Sequence, residues 1–179
     1  MPFYSRPNQA GGMMNSSVIA VLRRVDIFAG LNDLELSQIA QLCKVAKAKK
    51  GQIIFREDSD GDDLYVVHDG AVEIQVQTRG SDGQHRLSTI NTAYEGQAFG
   101  EIAMLGGGSR SATAVASMNP TTLLVINGPE LSTLCDTNTA IGYRIMRNFI
   151  NDMIYKLRSA SLLLRGHIKW QDNQLSQID

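Results

Sequence analysis

The sequence has little cysteine and histidine and no long apolar run, and each shortage excludes a class of protein. Two cysteines among 179 residues provide no disulfide framework, so we expect a reducing, cytoplasmic setting. The three histidines share no metal-ligand spacing, which argues against a metal centre and a metal-dependent enzyme. No apolar run approaches the roughly 18 residues of a membrane-spanning helix, so we expect no membrane partner.

Neither sign of charge dominates the chain. Seventeen Lys and Arg residues against eighteen Asp and Glu residues give a formal net charge of −1. A protein that coats nucleic acid or an anionic membrane needs a basic surplus, which is missing. The hydrophobic share of 43% and the charged share of 20% are typical of a folded domain. The first fourteen residues contain no apolar segment, so we expect no secretory signal.

The chain is expected to form one folded unit between two short tails. The flexible N-terminal tail, the domain and the polar C-terminal tail are predicted at residues 1–15, 16–165 and 166–179. Helix-capping residues mark three helix starts. The capping residues are Ser16 or Ser17 for a helix over 18–24, Asn32 for one over 33–42, and Asn127, with Glu130 as its capping-box partner, for a later one.

The middle of the chain, from Gly51 to Ile126, is typical of short strands separated by turns. Val72, Ile74 and Val76 alternate with polar residues, the period-2 pattern of a half-buried strand. Asp69-Gly70 between two β-rich runs indicates a hairpin. Strands are expected at 52–55, 64–67, 71–77, 86–90, 112–116 and 121–126. The prediction is an α+β fold: an antiparallel β jelly-roll barrel flanked by N-terminal helices and a long C-terminal helix.

The C-terminal helix, predicted over 139–165, carries two apolar rows. The first row, which we call the seam, follows heptad spacing and comprises Tyr143, Met146, Ile150, Met153, Leu157, Ala160 and Leu164. The second row comprises Ile141, Ile145, Phe149 and Ile154. One row can pack on the barrel and leave the seam for a parallel homodimer. The alternative is a single wide stripe that faces the core.

The segment from Phe99 to Thr113 carries the chemistry. It reads FGEIAML, then three glycines and a serine, then RSAT. Gly100 permits close backbone approach, and a short helix after it directs free N–H groups at an anion. Arg110 is suited to clamp a phosphate with two parallel hydrogen bonds. Glu101 is a hydrogen-bond acceptor that suits a sugar hydroxyl, so the pattern predicts a ligand with both groups.

This segment resembles the phosphate-binding cassette of cyclic nucleotide-binding domains, which has the pattern F-G-E-[ILV]-A-L, a short loop and R-[AST]-A-T. The stretches 61–67 and 70–74 resemble the strand–turn–strand before that cassette, and the resemblance spans about residues 18–160. It implies that Glu101 accepts from the ribose 2′-OH of cAMP or cGMP and that Arg110 pairs with the cyclic phosphate. The other implied ligand contacts are Gly100, which keeps the ribose side open, the amides of Ile102, Ala103 and Ala112, and the hydroxyl and amide of Ser111.

Contacts to the base are less well defined by the sequence. Ile90 is a candidate on the barrel, and Tyr155, Lys156 and Arg158 are candidates on the C-terminal helix. Some family members place an arginine there, but the aligned residue is Asp152. The Ser111 hydroxyl offers an acceptor for a guanine amino group, yet serine also occurs in cAMP-binding members, so we favour cAMP over cGMP.

The predicted function is a cyclic nucleotide sensor that repositions its C-terminal helix and acts on a protein effector, with no cofactor and no catalysis. One alternative is a dimerisation module with a degenerate pocket, in which Glu101 and Arg110 pair with each other. Another is a regulatory fragment of a larger transcription factor, channel or kinase. Fourteen residues follow Arg165, fewer than the roughly twenty of a helix-turn-helix, so we expect no direct DNA binding.

Overall fold

Two four-stranded antiparallel sheets form the centre of the molecule. The computed structural model describes residues 13–79 and 83–175. The first sheet has the order β1-β8-β3-β6 and the second the order β2-β7-β4-β5. The strands are β1 Cys43–Ala48, β2 Ile53–Phe55, β3 Leu64–Asp69, β4 Ala71–Arg79, β5 His85–Tyr94, β6 Ala98–Phe99, β7 Thr113–Ala116 and β8 Thr121–Ile126.

Helices cover one face of the first sheet. They are α1 Met13–Leu22, a 3₁₀ turn at Asp26–Phe28, α2 Asp33–Leu42, α3 Glu101–Gly106, α4 Gly128–Thr137 and α5 Thr139–Leu175. Leu64 and Val66 of β3 face the helical layer, whereas Tyr65 and Val67 face the second sheet. Successive side chains of β3 point to opposite faces of the sheet, so they contribute in turn to two separate cores. This three-layer arrangement confirms the predicted α+β jelly-roll fold with flanking helices.

Two predicted helix caps are present. The Asn32 side chain accepts from the Glu35 amide at 3.0 Å, and Glu35 returns the bond to the Asn32 amide at 2.8 Å. The Asn127 side chain accepts from the Glu130 amide at 3.1 Å. Such caps satisfy amides that the first helical turn leaves without acceptors.

Two helix boundaries differ from the predictions. Helix α1 begins at Met13, ahead of the predicted caps Ser16 and Ser17 and within the stretch predicted as a flexible tail, and it ends at Leu22. Helix α5 continues to Leu175, ten residues past Arg165 and into the predicted polar tail. Gly166 alone does not end a helix, because its cost of about 1 kcal/mol is far below that of proline. The rest of the predicted N-terminal tail, residues 1–12, lies outside the described residues.

The predicted Asp69-Gly70 hairpin is wrong. Strand β3 pairs with β8 and β6, whereas β4 pairs with β5 and β7, so the chain changes sheets at Gly70. Gly70 has a φ of 92°, and a Cβ there would lie 2.8 Å from the Thr121 hydroxyl oxygen. The positive φ of this glycine is needed where the chain crosses between the sheets. A tight hairpin turn also uses a positive φ, so the sequence pattern is the same for both.

Three strand assignments also change, and one of them is the short strand β6, which was not predicted. Strand β1 was not predicted, because Lys44 and Lys47 interrupt its apolar positions; such lysines are common on edge strands. Strand β5 extends to Tyr94, past the predicted end at Ile90. The register shifts there, since Gln75 pairs with Thr89 and Ile74 with Asn91, which leaves Ile90 as the extra residue of a bulge.

The two apolar rows of α5 have different environments. Ile141, Ile145 and Phe149 are at most 1% exposed and belong to the core between the helices and the first sheet, whereas Ile154, the last member of that row, is 42% exposed. In the seam, Tyr143 is 67% exposed and Leu157 is 69% exposed. The alternative of one wide core-facing stripe is therefore wrong, and the seam residues up to Leu157 lie at the surface of the protomer.

Candidate functional site

The predicted cassette leads from β6, an edge strand of the first sheet, to β7, an inner strand of the second sheet. Strand β6 ends at Phe99, helix α3 begins at Glu101, and a glycine loop leads to β7 in the other sheet. Gly100 joins strand and helix with a φ of 86°. A Cβ there would lie 2.8 Å from Nη1 of Arg110 and 3.1 Å from the carbonyl oxygen of Asp63. The backbone must therefore approach closely at this point, as the sequence indicated, and the group it approaches is the arginine.

Arg110 is buried, and its side chain lies in a tight enclosure. It is 3% exposed, and its Nη1 donates to the carbonyl oxygens of Asp63 at 2.9 Å and Gly100 at 3.0 Å. Its guanidinium carbon lies 4.4 Å from the centroid of the Phe55 ring and 5.5 Å from that of Tyr65. These contacts fix the plane of the guanidinium and supply cation–π attraction.

One donor of this guanidinium has no acceptor. Within the described residues, Nε of Arg110 is buried without a hydrogen-bond partner. An unpaired buried donor costs about 1–3 kcal/mol, and more when the group is charged. An oxygen of an anionic ligand is one acceptor that would remove this penalty.

Glu101 is the second buried charge of the cassette. It is 5% exposed, and its Oε1 accepts from Nζ of Lys156 on α5 at 2.8 Å. Nζ also donates to Oδ2 of Asp152, one helical turn earlier, at 2.7 Å. Glu101 thus pairs with Lys156 and not with Arg110, so the pairing that we considered for a degenerate pocket is not the one present.

The electrostatics of Lys156 follow from these two carboxylates. Burial alone lowers the pKa of Lys156, because it disfavours the charged form. The charges of Glu101 and Asp152, together with hydrogen bonds to both, outweigh burial and raise the pKa above its ordinary value. Lys156 therefore stays protonated at neutral pH and compensates the charge of Glu101.

The acidic turn at residues 58–63 holds the loop that carries Arg110. The Asp58 amide donates to the Arg110 carbonyl at 2.8 Å, and the Arg110 amide donates to the Ser59 carbonyl at 2.9 Å. The Gly61 amide donates to the Gly108 carbonyl at 3.0 Å. Among the described residues, no cluster of His, Cys, Asp and Glu could hold a metal ion. The turn thus supports the arginine through its backbone.

An aromatic cluster beneath the arginine was not recognised in the sequence. The rings of Phe55, Tyr65 and Phe99 have centroids 5.2 to 5.9 Å apart, and Tyr65 pairs with Phe99 across β3 and β6. Burial, and then the charge of Asp63, raise the pKa of the Tyr65 hydroxyl. The sequence does show one aromatic residue in or next to each of three β segments. Whether the three rings meet depends on how the sheets pack.

The remaining predicted contact residues lie in α3 and in the segment that follows Arg110. Ile102 and Ala103 are in the first turn of α3, where amides have no intrahelical acceptor. Ala103 and Ala112 are buried, and Ser111 is exposed directly after Arg110.

The candidate base contacts do not all converge on this site. Ile90 is 57% exposed on β5 and Tyr155 is 72% exposed on α5, and Arg158 is also exposed. Successive helical residues are separated by about 100°, so a helix that directs Lys156 at Glu101 directs Arg158 away. Among the described contacts, Lys156 is the α5 residue that reaches the cassette.

Two cavities of about 330 and 500 Å³ occur elsewhere in the described structure. The smaller one is lined by residues such as Arg24 and Gly96, and the larger one by residues such as His68 and Thr122. Neither cavity is lined by Glu101 or Arg110.

Comparisons with known proteins place the chain in a family. The family model described as "Cyclic nucleotide-binding domain" matches residues 45–138, which include both sheets from Val45 onward and the whole cassette. In the described residues, no helix is both long and apolar enough to cross a bilayer.

Two relatives and one solved structure illustrate the match. A protein of Rhodopseudomonas palustris named as a potassium channel protein is 32% identical over 133 residues, which are 74% of this chain and 30% of that protein. The cGMP-dependent protein kinase 2 of Homo sapiens is 33% identical over 106 residues, 59% of this chain and 14% of the kinase. The crystal structure of the catabolite activator protein of Thermus thermophilus has a TM-score of 0.65 at 28% identity, covering 78% of this chain and 61% of that one. The chain spans less than a third of these two relatives, and it belongs to the cyclic nucleotide-binding domain family.

Proposed function

We propose that this domain is a sensor that binds a cyclic nucleotide through the cassette and changes the position of α5. The observation that carries the proposal is the pair of buried, oppositely charged side chains: Arg110, with an unpaired donor, and Glu101, one residue after Gly100. A phosphate satisfies the arginine, and a ribose hydroxyl donates to the carboxylate. A cyclic nucleotide has both groups a short distance apart.

The number of available contacts is sufficient for useful affinity. Besides Arg110 and Glu101, the proposed ligand contacts are the amides of Ile102, Ala103 and Ala112 and the residue Ser111. Hydrogen bonds to charged groups contribute about 1.5–3 kcal/mol each, and micromolar binding requires about 8 kcal/mol. Three or four such bonds, together with packing of the base, reach that sum.

The preferred nucleotide in this proposal is cAMP. Ser111 is exposed beside the arginine, and its hydroxyl is compatible with either base. One relative is named a cGMP-dependent protein kinase, so cGMP is the second candidate. The domain would work in a reducing, cytoplasmic setting, which agrees with the free thiols of Cys43 and Cys135.

The proposed output is a change in the partners of α5. The exposed seam would form a parallel homodimer, and an effector protein would respond to the helix. Ligand shifts such an equilibrium only by its difference in affinity between the two arrangements. Because the relatives are longer than this chain, a second candidate is the regulatory part of a larger channel, kinase or transcription factor.

Calorimetry on the ligand-stripped protein tests the proposal. We expect cAMP to bind with a micromolar dissociation constant, cGMP more weakly, and linear 5′-AMP not at all, because its phosphate is not tied back to the ribose. A preference of about tenfold for cGMP, or 1.4 kcal/mol, would reverse the choice of nucleotide. Absence of binding by both cyclic nucleotides at millimolar concentration would leave a dimerisation module with a degenerate pocket.

A further inference from the structure

Helix α5 contacts the rest of the domain at two levels. At the first level its apolar row, Ile141, Ile145 and Phe149, lies in the core, and Asn148 Nδ2 donates to the carbonyl oxygens of Ile27 at 3.1 Å and Ala29 at 2.9 Å. At the second level, two turns further along, Lys156 donates to Glu101. The first level anchors the helix and the second fixes its course over the cassette.

The second contact involves the carboxylate that the proposed function assigns to ribose. Oε1 of Glu101 lies 2.8 Å from Nζ of Lys156, and the side chain of Glu101 is only 6% exposed while that of Lys156 is 34% exposed. The lysine therefore covers this oxygen on the solvent side. A hydroxyl that approaches the same oxygen from the solvent side therefore meets the ammonium group.

Lys156 has a second partner, which lowers the free-energy cost of its release from Glu101. Asp152 is on the same helix, four residues earlier, and its Oδ2 lies 2.7 Å from Nζ. When Lys156 leaves Glu101 it keeps an ion pair within α5, as residues at i and i+4 share a helix face. The ammonium group thus has one partner on the cassette and one on the moving helix, the arrangement that a two-state contact requires.

We propose that Lys156 is a positioning residue that holds α5 against the cassette in the ligand-free protein and that the ribose 2′-hydroxyl displaces it from Glu101. This inference rests on the proposed function for its ligand, but the ligand-free contact is independent of it. In this proposal, one hydroxyl group of the nucleotide couples ligand binding to the position of α5. The competing arrangement has Lys156 and ribose on different oxygens of Glu101 at the same time.

A cycle of one substitution and one ligand change separates these arrangements. The dissociation constants of cAMP and 2′-deoxy-cAMP are measured for the wild type, for Lys156→Met and for Arg147→Met, a control that removes an exposed cation from another face of α5. Competition predicts that Lys156→Met increases the advantage of cAMP over the deoxy analogue by about threefold, because the hydroxyl then binds Glu101 without displacing an ion pair and a partly exposed ion pair is weak. The control should leave this ratio unchanged. An unchanged or smaller ratio in Lys156→Met would overturn the proposal.

Amide hydrogen exchange of α5 tests the contact without depending on ligand binding. In the ligand-free protein, Lys156→Met should exchange faster than the wild type over residues 150–159, because a helix that loses its packing frays. Adding cAMP to the wild type should have the same effect, and the deoxy analogue should not. If no nucleotide binds, the proposed function fails, and the ligand-free comparison still decides the role of Lys156. Equal exchange in the variant and the wild type would show that Lys156 does not hold the helix.

Discussion

Arg110 combines nearly complete burial with incomplete hydrogen bonding. Two backbone carbonyl oxygens and two aromatic rings fix the guanidinium, but its Nε has no partner among the described residues. Proteins bury a charge at a cost of several kcal/mol unless it is paired and hydrogen-bonded. A cost of this kind at one side chain is consistent with a residue retained for a ligand, and Gly100 and Gly61 provide the space in which it lies.

Replacing Arg110 by leucine should therefore weaken cyclic nucleotide binding by more than about tenfold, because one or more charge-assisted bonds to the phosphate are lost. Calorimetric titration with cAMP measures the dissociation constant. Arg56→Leu is the matched control, since Arg56 is exposed on the neighbouring loop. An equal dissociation constant in Arg110→Leu and the wild type would remove Arg110 from the site.

Helix α5 has one apolar row in the core of the domain and another at its surface. Its first three turns lie against the 3₁₀ turn and α4, whereas its seam has large exposed apolar side chains such as Ile150 and Leu157. Apolar residues repeated every three and four positions favour association of two helices. The seam is thus available for a second copy of the chain, and Lys156 lies at its side, three residues after Met153.

In our proposal, Met153→Glu should shift the protein from dimer to monomer. A carboxylate in an apolar seam is desolvated without a partner, so we expect the dimer dissociation constant to rise by at least about tenfold. Sedimentation velocity over a concentration series measures it. Asn151→Glu adds the same charge to an exposed position outside the seam and should leave the dimer intact. A wild-type protein that sediments as a monomer would contradict the prediction.

At the scale of the whole molecule, the cassette connects all three layers. It leaves the first sheet at Phe99, enters the second at Thr113, and contacts the helical layer through Lys156. Groups that bind at such a junction stabilise every layer together. The folded domain, and not the unfolded chain, buries Arg110 and Glu101 in one cassette, so ligand binding should stabilise the fold.

Thermal unfolding measures this linkage. At a cAMP concentration about 100 times its dissociation constant, binding to the native state adds about 2.7 kcal/mol. For a domain of this size, that corresponds to a rise in Tm of roughly 5–10 °C. Linear 5′-AMP at the same concentration should not change Tm, and cAMP should raise the Tm of Arg110→Leu by no more than about half as much as that of the wild type. An unchanged Tm for the wild type with cAMP would mean that native and unfolded chains bind it equally or not at all.

Local patterns in the sequence determined much of this molecule. The alternation in β4, the Asn32 cap of α2, the glycine before Glu101 and the buried row of α5 follow from residue types and their spacing, because backbone propensity and periodic burial act over a few residues. Tertiary structure alone decided the change of sheet at Gly70, the aromatic rings beneath Arg110 and the pairing of Glu101 with Lys156. The last joins residues 55 positions apart. Contacts of that range depend on how sheets and helices pack, and no local pattern specifies which side chains meet there.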